Sequence, residues 1–294
     1  MTYNETKKVN LMEKEKPIIL NTEDYLEPEC PLTQKPEDAL HPKTRIPQKR
    51  IIEKMDELMA YNDFSGAERL LNFWLSEARA GFDTAGEFFL YNEQMGFYRQ
   101  RNRKEEAYQA IEDAFSLLEP LGYTEGISGA TAYVNAATVY CAFNEAEKAI
   151  PLYRKAEAIY LNQLEYADER LGGLYNNMAE ACLLSGQYDD AESCFHKAID
   201  IMMKLTEGEL EAALSWLNLV DLYVLKYGRE NLLTIEKSDE YLETARALLD
   251  ADTLERNHHY AYVAQKCVGI YEEFGYFGYA KELRERIRTI HEGN

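Results

Sequence analysis

Apolar residues recur at steps of three and four from Gln48 to the end of the chain, and polar residues fill most positions between them. This period places the apolar side chains on one face of an α-helix. Alternation with a period of two, which indicates strands, is nearly absent from the same region. The pattern therefore predicts an all-α fold for residues 48–294.

The helical pattern also repeats itself along the chain. Residues 131–156 align with residues 173–198 at a spacing of 42, so that Tyr133 falls on Tyr175 and Asn135 on Asn177. A further step of 41 residues brings Asn218 to the same position. A repeat of this length is the signature of a stacked architecture, in which each unit packs only on its neighbours.

Each repeat has a predicted turn between two helices. Glycine and asparagine are the residues that best tolerate the left-handed conformation that ends a helix. One of them stands five residues before a recurring alanine in five repeats, at Asn62, Asn102, Asn144, Gly186 and Gly275. We therefore predict six helical hairpins, at residues 48–80, 86–122, 127–163, 169–205, 211–250 and 259–292, with Pro120 and Gly122 at the end of the second.

The first 47 residues differ in character from the rest. They contain six of the eight prolines, which cannot donate a backbone hydrogen bond and so break regular helix. We predict an extended or disordered arm at residues 1–47 and a repeat domain at residues 48–294. The apolar stretch from Pro17 to Leu20 suggests that the arm fills a groove of the repeat domain as an internal pseudo-ligand; a plain disordered tail is the alternative.

The charge of the chain narrows the class of partner. The 52 acidic residues outnumber the 32 basic ones and give a net charge of −20. Such a surface repels nucleic acids and anionic membranes and favours basic or apolar partners. We expect a cytoplasmic protein, because no apolar run is long enough to span a membrane and the first residues do not form a signal-peptide core.

The recurring residues form a pattern known from one repeat family. The first copy is Tyr133, Ala137, Tyr140, Ala149, Tyr153 and Ala156, and the second is Tyr175, Ala179, Ala191, Phe195 and Ala198. This pattern resembles the tetratricopeptide repeat, whose usual length is 34 residues. The longer spacing here, and the string YNNMAEAC from Tyr175, are similar to the 42-residue repeats of kinesin light chains. The resemblance implies a right-handed α-solenoid of about six hairpins that binds proteins or peptides along a concave surface.

Three asparagines are the principal candidates for a binding site. Asn135 lies two residues beyond Tyr133, roughly 200° around the helix, so it faces away from the core of its own hairpin. Asn177 and Asn218 have the same geometry, which predicts a row of carboxamides along the first helices. The resemblance implies that this row grips the main chain of a bound peptide, since a carboxamide offers both a donor and an acceptor. A structural role, bonding a neighbouring helix or a water, is the alternative.

The positions that follow the asparagines describe the rest of the predicted groove. Three and seven residues further on lie Thr138, Glu180, Asp221, Leu184 and Leu225. This acidic and apolar strip fits an extended peptide with basic and apolar side chains. Domains of this family that capture a terminal carboxylate need basic residues on the same face, and here only Arg99 and Lys266 come near it.

Other functional classes have less support. The chain has no GxSxG, HExxH, Walker or CxxC motif, and its five cysteines form no zinc or disulfide framework. We therefore predict a protein that is not an enzyme and has no catalytic residue, cofactor or metal; a pair of acids meeting across the concave face stays open. The other alternative is a scaffold subunit that self-associates through the aromatic last hairpin, at Tyr271, Phe274, Tyr276, Phe277 and Tyr279. The oligomeric state and the partner's identity are left open.

Overall fold

A computed structural model describes residues 42–206 and 208–292. Within these residues the chain forms twelve α-helices and no strand. The helices are α1 (Gln48–Ala60), α2 (Phe64–Ala80), α3 (Thr84–Gln100), α4 (Lys104–Ser116), α5 (Ile127–Ala142), α6 (Ala146–Gln163), α7 (Glu169–Leu184), α8 (Tyr188–Met202), α9 (Glu209–Tyr227), α10 (Leu232–Leu249), α11 (His258–Glu273) and α12 (Phe277–Glu292). The prediction of an all-α solenoid of helical hairpins is confirmed.

The turns inside the hairpins lie where the repeat predicts them. A positive φ is found at Asn62 (58°), Asn102 (55°), Asn144 (60°), Gly186 (72°) and Gly275 (83°). In all five of these hairpins the residue after it donates its backbone N–H back to the last turn of the first helix, as Gln187 does to the carbonyl oxygen of Cys182 over 2.8 Å. This bond satisfies a carbonyl that the helix end leaves unpaired.

The second hairpin ends earlier than predicted. Its second helix stops at Ser116, and the chain continues to Gly122 through tight turns. Pro120 explains the difference, because proline disfavours the helical conformation of the residue before it and has no N–H to donate. Gly122 then turns the chain with a φ of 68°.

Contacts between residues divide the chain into two compact units, with the division between Gln94 and Met95 inside α3. In the first unit, the backbone N–H of Lys43 donates to the carbonyl oxygen of Gly81 over 2.8 Å, and that of Ile46 donates to Asp83 Oδ2 over 2.9 Å. The last residues before α1 are therefore bound to the turn between α2 and α3. Residues 1–41 lie outside the described part, so the boundary and role of the arm stay predictions.

In the second unit α5, α7, α9 and α11 each pack on the second helix that follows them, and successive hairpins meet through α6–α7 and α8–α9. The first helices also lie side by side, with contacts between α5 and α7 and between α9 and α11. The recurring aromatic residues Tyr133, Tyr153, Tyr175 and Phe195 are buried in the cores of the hairpins. The alanines of the pattern have no exposed surface, because the small side chain allows the helices to approach closely: Ala137, Ala149, Ala156, Ala179, Ala191 and Ala198.

Polar contacts join neighbouring hairpins at the edges of this core. The Lys226 ammonium donates to Asp189 Oδ1 over 2.6 Å and to Glu192 Oε2 over 3.1 Å. The hydroxyl of Tyr223 donates to Glu192 Oε1 over 2.7 Å. These bonds connect α9 to α8 and so hold α9 at a defined position beside α7.

The aromatic side chains of the last hairpin differ in burial. Tyr271 and Tyr279 are buried, and their hydroxyls donate to the carbonyl oxygen of Leu242 and to Asp250 Oδ1, each over 2.9 Å. The Phe277 side chain, by contrast, is strongly exposed, with 68% of its surface accessible to solvent. Two of the five aromatic residues of the predicted interface therefore pack α11 and α12 on the end of α10.

Candidate functional site

The first helices of the second unit present one shared face. We call it the inner face: the sides of α5, α7, α9 and α11 that point away from the second helices of their own hairpins. Asn135 and Asn177 each lie nine residues before the left-handed residue that ends their hairpin's first helix, and Lys266 holds the same place before Gly275. The asparagine row of α5, α7 and α9 thus continues in α11 as a lysine.

A cavity of about 190 Å³ opens on this face between α7, α9 and α11. We call it the inner cavity. It is lined by Asn176, Asn177, Glu180, Glu211, Leu214, Leu217, Asn218, Lys266 and Ile270. Three of the predicted site residues, Asn177, Glu180 and Asn218, therefore meet in one place.

Asn177 and Asn218 have carboxamides that the protein itself does not use. Both side chains are half-buried, yet neither hydrogen-bonds to another residue in the described part of the chain. Asn176 is different, because its Oδ1 accepts a hydrogen bond from the buried Ser215 hydroxyl over 2.9 Å. Asn176 thus ties α7 to α9, whereas the amides of Asn177 and Asn218 are available to a ligand that enters the cavity.

The remaining part of the row, on α5, is arranged differently. Asn135 is half-buried, interacts with other residues of the chain and does not line the inner cavity. The Thr138 hydroxyl lies 2.9 Å from the carbonyl oxygen of Val134, to which it donates, and 3.0 Å from the Tyr153 hydroxyl. Thr138 therefore turns its polar atom toward the second helix of its own hairpin.

Two acidic residues of the predicted groove have side-chain pKa values that are raised above the ordinary range. Water reaches the Glu180 side chain, but the surrounding walls displace much of its hydration and raise its pKa, against the smaller opposing effect of the Lys266 and Arg99 charges. Desolvation also raises the pKa of Asp221, with Glu273 adding to the effect and Arg229 opposing it. Both carboxylates are less well solvated than in water, so a cation placed beside them gains interaction energy.

The two predicted leucines lie further along the helices. Leu184 is 55% exposed in the last turn of α7, and Leu225 is 58% exposed near the end of α9. Neither lines the inner cavity, and Asp221 does not line it either. These three residues extend the inner face beyond the place where the asparagines meet.

Sequence reasoning missed several residues of the inner cavity. Glu211 lies seven residues before Asn218, which is about two helical turns and therefore the same face. Leu214 precedes Asn218 by four residues, which again keeps the same face. The helical period, extended toward the N-terminus from Asn218, is the signal that predicts both residues.

A larger cavity of about 780 Å³ lies at the C-terminal end, between the start of α11 and the second half of α12. It contains none of the predicted site residues. Its Arg286 is held by Asp250, 2.6 Å away, and by the Tyr260 hydroxyl, 3.0 Å away. Arg286 is therefore bound within the protein and is not a free cation of this cavity.

In the described part of the chain, no group of three or more histidine, cysteine or acidic side chains is placed to hold a metal ion. The same residues include no helix that combines the length and the apolar character needed to cross a membrane.

These features define a class of fold, a solenoid of tetratricopeptide-like hairpins, and the comparisons agree. Residues 174–209 match the tetratricopeptide repeat family. The fold is similar to that of BtubC (BKLC) from P. vanneervenii, with a TM-score of 0.60 and 20% identity over 68% of this chain and 78% of that one. It is also similar to a kinesin light chain protein with nearly identical TPR-like repeats from Podosopora anserina, with a TM-score of 0.51 and 19% identity over 68% and 93% of the two chains. No curated protein matches the sequence. The predicted resemblance to tetratricopeptide repeats of the kinesin light chain type is confirmed.

Proposed function

We propose that this protein is a non-enzymatic, cytoplasmic scaffold that binds an extended segment of a partner protein along its inner face. The observation that carries the proposal is the inner cavity, where the half-buried carboxamides of Asn177 and Asn218 meet without a partner among the described residues. Solvent reaches both amides in the free protein, so a ligand that binds there must offer groups that replace the hydrogen bonds with water. A bound main chain supplies such groups.

The geometry suits a main chain better than a single side chain. Each carboxamide has an acceptor oxygen and a donor nitrogen, the complement of one peptide unit. The two asparagines stand on α7 and α9, which the Asn176–Ser215 hydrogen bond joins, so they contact successive parts of an extended segment. Binding of this kind depends little on the partner's side chains, and its specificity comes from the residues around the amides.

The surrounding charges favour a segment with basic and apolar side chains. The inner cavity is lined by two acidic residues, Glu180 and Glu211, and by one basic residue, Lys266. Leu214, Leu217 and Ile270 provide its apolar wall. With a net charge of −20 on the whole protein, an acidic segment is repelled and a basic one is attracted.

Self-association through the last hairpin has less support than partner binding. Tyr271 and Tyr279, the centre of the predicted aromatic interface, are buried and hydrogen-bonded within the hairpin. A strongly charged surface of one sign also opposes contact between two copies.

Affinity capture from native lysate followed by mass spectrometry tests the proposal. The variant is the double substitution Asn177→Ala and Asn218→Ala. The matched control is Asn162→Ala on α6, an exposed asparagine whose amide nitrogen donates to the carbonyl oxygen of Ala158 in its own helix over 2.9 Å. Circular dichroism establishes that all three proteins keep their helix content and melting temperature.

We expect the wild type and the Asn162→Ala control to retain the same partner and the double variant to lose it. If the double variant recovers the partner as well as the wild type does, the carboxamides are not the grip and the proposal is wrong.

A further inference from the structure

A second cavity, of about 550 Å³, adjoins the inner cavity at Glu211, which lines both. It lies at the N-terminal ends of α7, α9 and α11, and we call it the anchor cavity. Its apolar lining consists of Met202, Leu205, Leu210 and Leu254. Its volume is in the range of cavities that bind ligands.

The two cavities follow the same helices and form a continuous path. On α7, Gly173 lines the anchor cavity, and Asn177 and Glu180 line the inner cavity. Seven residues separate Gly173 from Glu180, a distance of roughly 10 Å along the helix. An extended chain covers that distance in about three residues.

The anchor cavity is also acidic at its polar positions. Glu169, Glu211 and Glu255 line it, against Arg170 and the side chain of His259. The Arg170 guanidinium is already paired with Asp168, with 2.6 Å between Nη2 and Oδ2. The excess negative charge therefore continues from the inner cavity into the anchor cavity.

Gly173 leaves the entrance of the anchor cavity wide. It lies in the first half of α7, and a Cβ added there would meet no atom within 4 Å. A helix gains stability when such a glycine is replaced by a residue with a side chain. Gly173 is thus a position where a large side chain would fill the path without disturbing the packing of α7.

We propose that the two cavities form one binding channel, in which the partner segment seats a bulky apolar side chain in the anchor cavity and a lysine or arginine about three residues away beside Glu180 and Glu211. This inference rests on the proposed function and specifies the segment that is bound. The apolar lining of the anchor cavity selects the first side chain, and the acidic excess along the channel selects the second. A second copy of this chain, at a net charge of −20, is repelled overall.

Fluorescence anisotropy with labelled synthetic peptides tests the channel. The probe is a short peptide of glycine and serine that carries leucine and arginine three residues apart. The comparison peptides carry leucine alone, arginine alone, leucine with glutamate, or leucine and arginine side by side. We expect the probe to bind the wild type at least about tenfold more tightly than each comparison peptide.

Two leucine substitutions locate the binding. Gly173→Leu should weaken binding of the probe by about tenfold or more, because the new side chain occupies the entrance of the anchor cavity. The matched control is Gly278→Leu on α12, where a Cβ also meets no atom within 4 Å but no channel is present. We expect the control to bind as the wild type does, and both variants to melt no lower than the wild type.

The outcomes separate this inference from the proposed function. If the probe binds the wild type no better than the comparison peptides, the channel is wrong. If Gly173→Leu binds the probe normally while the Asn177→Ala and Asn218→Ala double variant loses its partner, the role of the asparagines is supported and the role of the anchor cavity is refuted. If Gly173→Leu loses the probe but the double variant keeps both probe and partner, the binding channel is supported and the role of the asparagines is refuted.

Discussion

Two glycines provide a direct test of the backbone geometry on which the repeat depends. Gly186 ends the turn after α7 with a φ of 72°, and Gly269 lies within α11. At both positions an added Cβ would meet no atom within 4 Å, so packing does not distinguish them. The perturbation is the same methyl group in each case, through Gly186→Ala and Gly269→Ala.

The expected changes in the free energy of unfolding have opposite signs. Alanine at Gly186 must adopt the left-handed conformation, which costs about 1–2 kcal/mol. The smaller entropy of the unfolded chain offsets about 0.4–1 kcal/mol of that cost, so the net loss is about 1 kcal/mol. Alanine at Gly269 keeps the helical conformation and gains about 0.5–1 kcal/mol. The two variants should therefore differ by about 1.5–2 kcal/mol.

Urea denaturation followed by circular dichroism measures this difference. We expect the midpoint to fall for Gly186→Ala and to rise for Gly269→Ala, relative to the wild type. Two shifts in the same direction would refute the reasoning, because they would mean that the backbone conformation does not decide the effect.

Two further predictions concern the core and the inner cavity. Phe195→Ala removes a fully buried ring and should cost about 3–5 kcal/mol of stability, whereas Phe277→Ala, at a residue that is 68% exposed, should change the melting temperature little; equal effects in thermal melts would contradict the assignment of the core. Partial desolvation by the surrounding walls raises the pKa of Glu180, so its stabilising contribution is complete below the pKa of the unfolded chain and is lost as the pH rises through the folded-state pKa. Glu180→Gln should therefore raise the urea midpoint more at about pH 7 than at about pH 4, and a larger gain at the lower pH would reverse the assigned direction.

The sequence was sufficient to predict the architecture of the repeats. The turn positions were found because Asn144 and Gly186 are among the few residue types that adopt a positive φ at low cost. The buried faces are predictable because Tyr133 and Ala137, which are both buried, share one stripe at the helical period; Tyr140 on the same stripe is half-buried. Both signals are local, so they do not depend on how the hairpins stack.

The site was only partly predictable for the same reason. Helical period placed Asn177, Glu180 and Asn218 on one face, and the structure brings them together in the inner cavity. The helical period could not show that the Thr138 hydroxyl donates to the carbonyl oxygen of Val134, since this hydrogen bond depends on the side-chain rotamer and on the neighbouring helix. The anchor cavity could not be predicted because residues from three distant segments of the chain, from Glu169 to His259, line it.

Site-specific cross-linking tests the central claim, that a partner segment lies on the inner face, most directly. A photo-reactive phenylalanine derivative at Gly269, between Lys266 and Ile270 of the inner cavity, is compared with the same residue at Gly278, where the surroundings are equally open. We predict that Gly269 gives a cross-linked adduct with a partner protein in native lysate and that Gly278 does not. Adducts at Gly278 with none at Gly269 would place the partner on another surface and contradict the account.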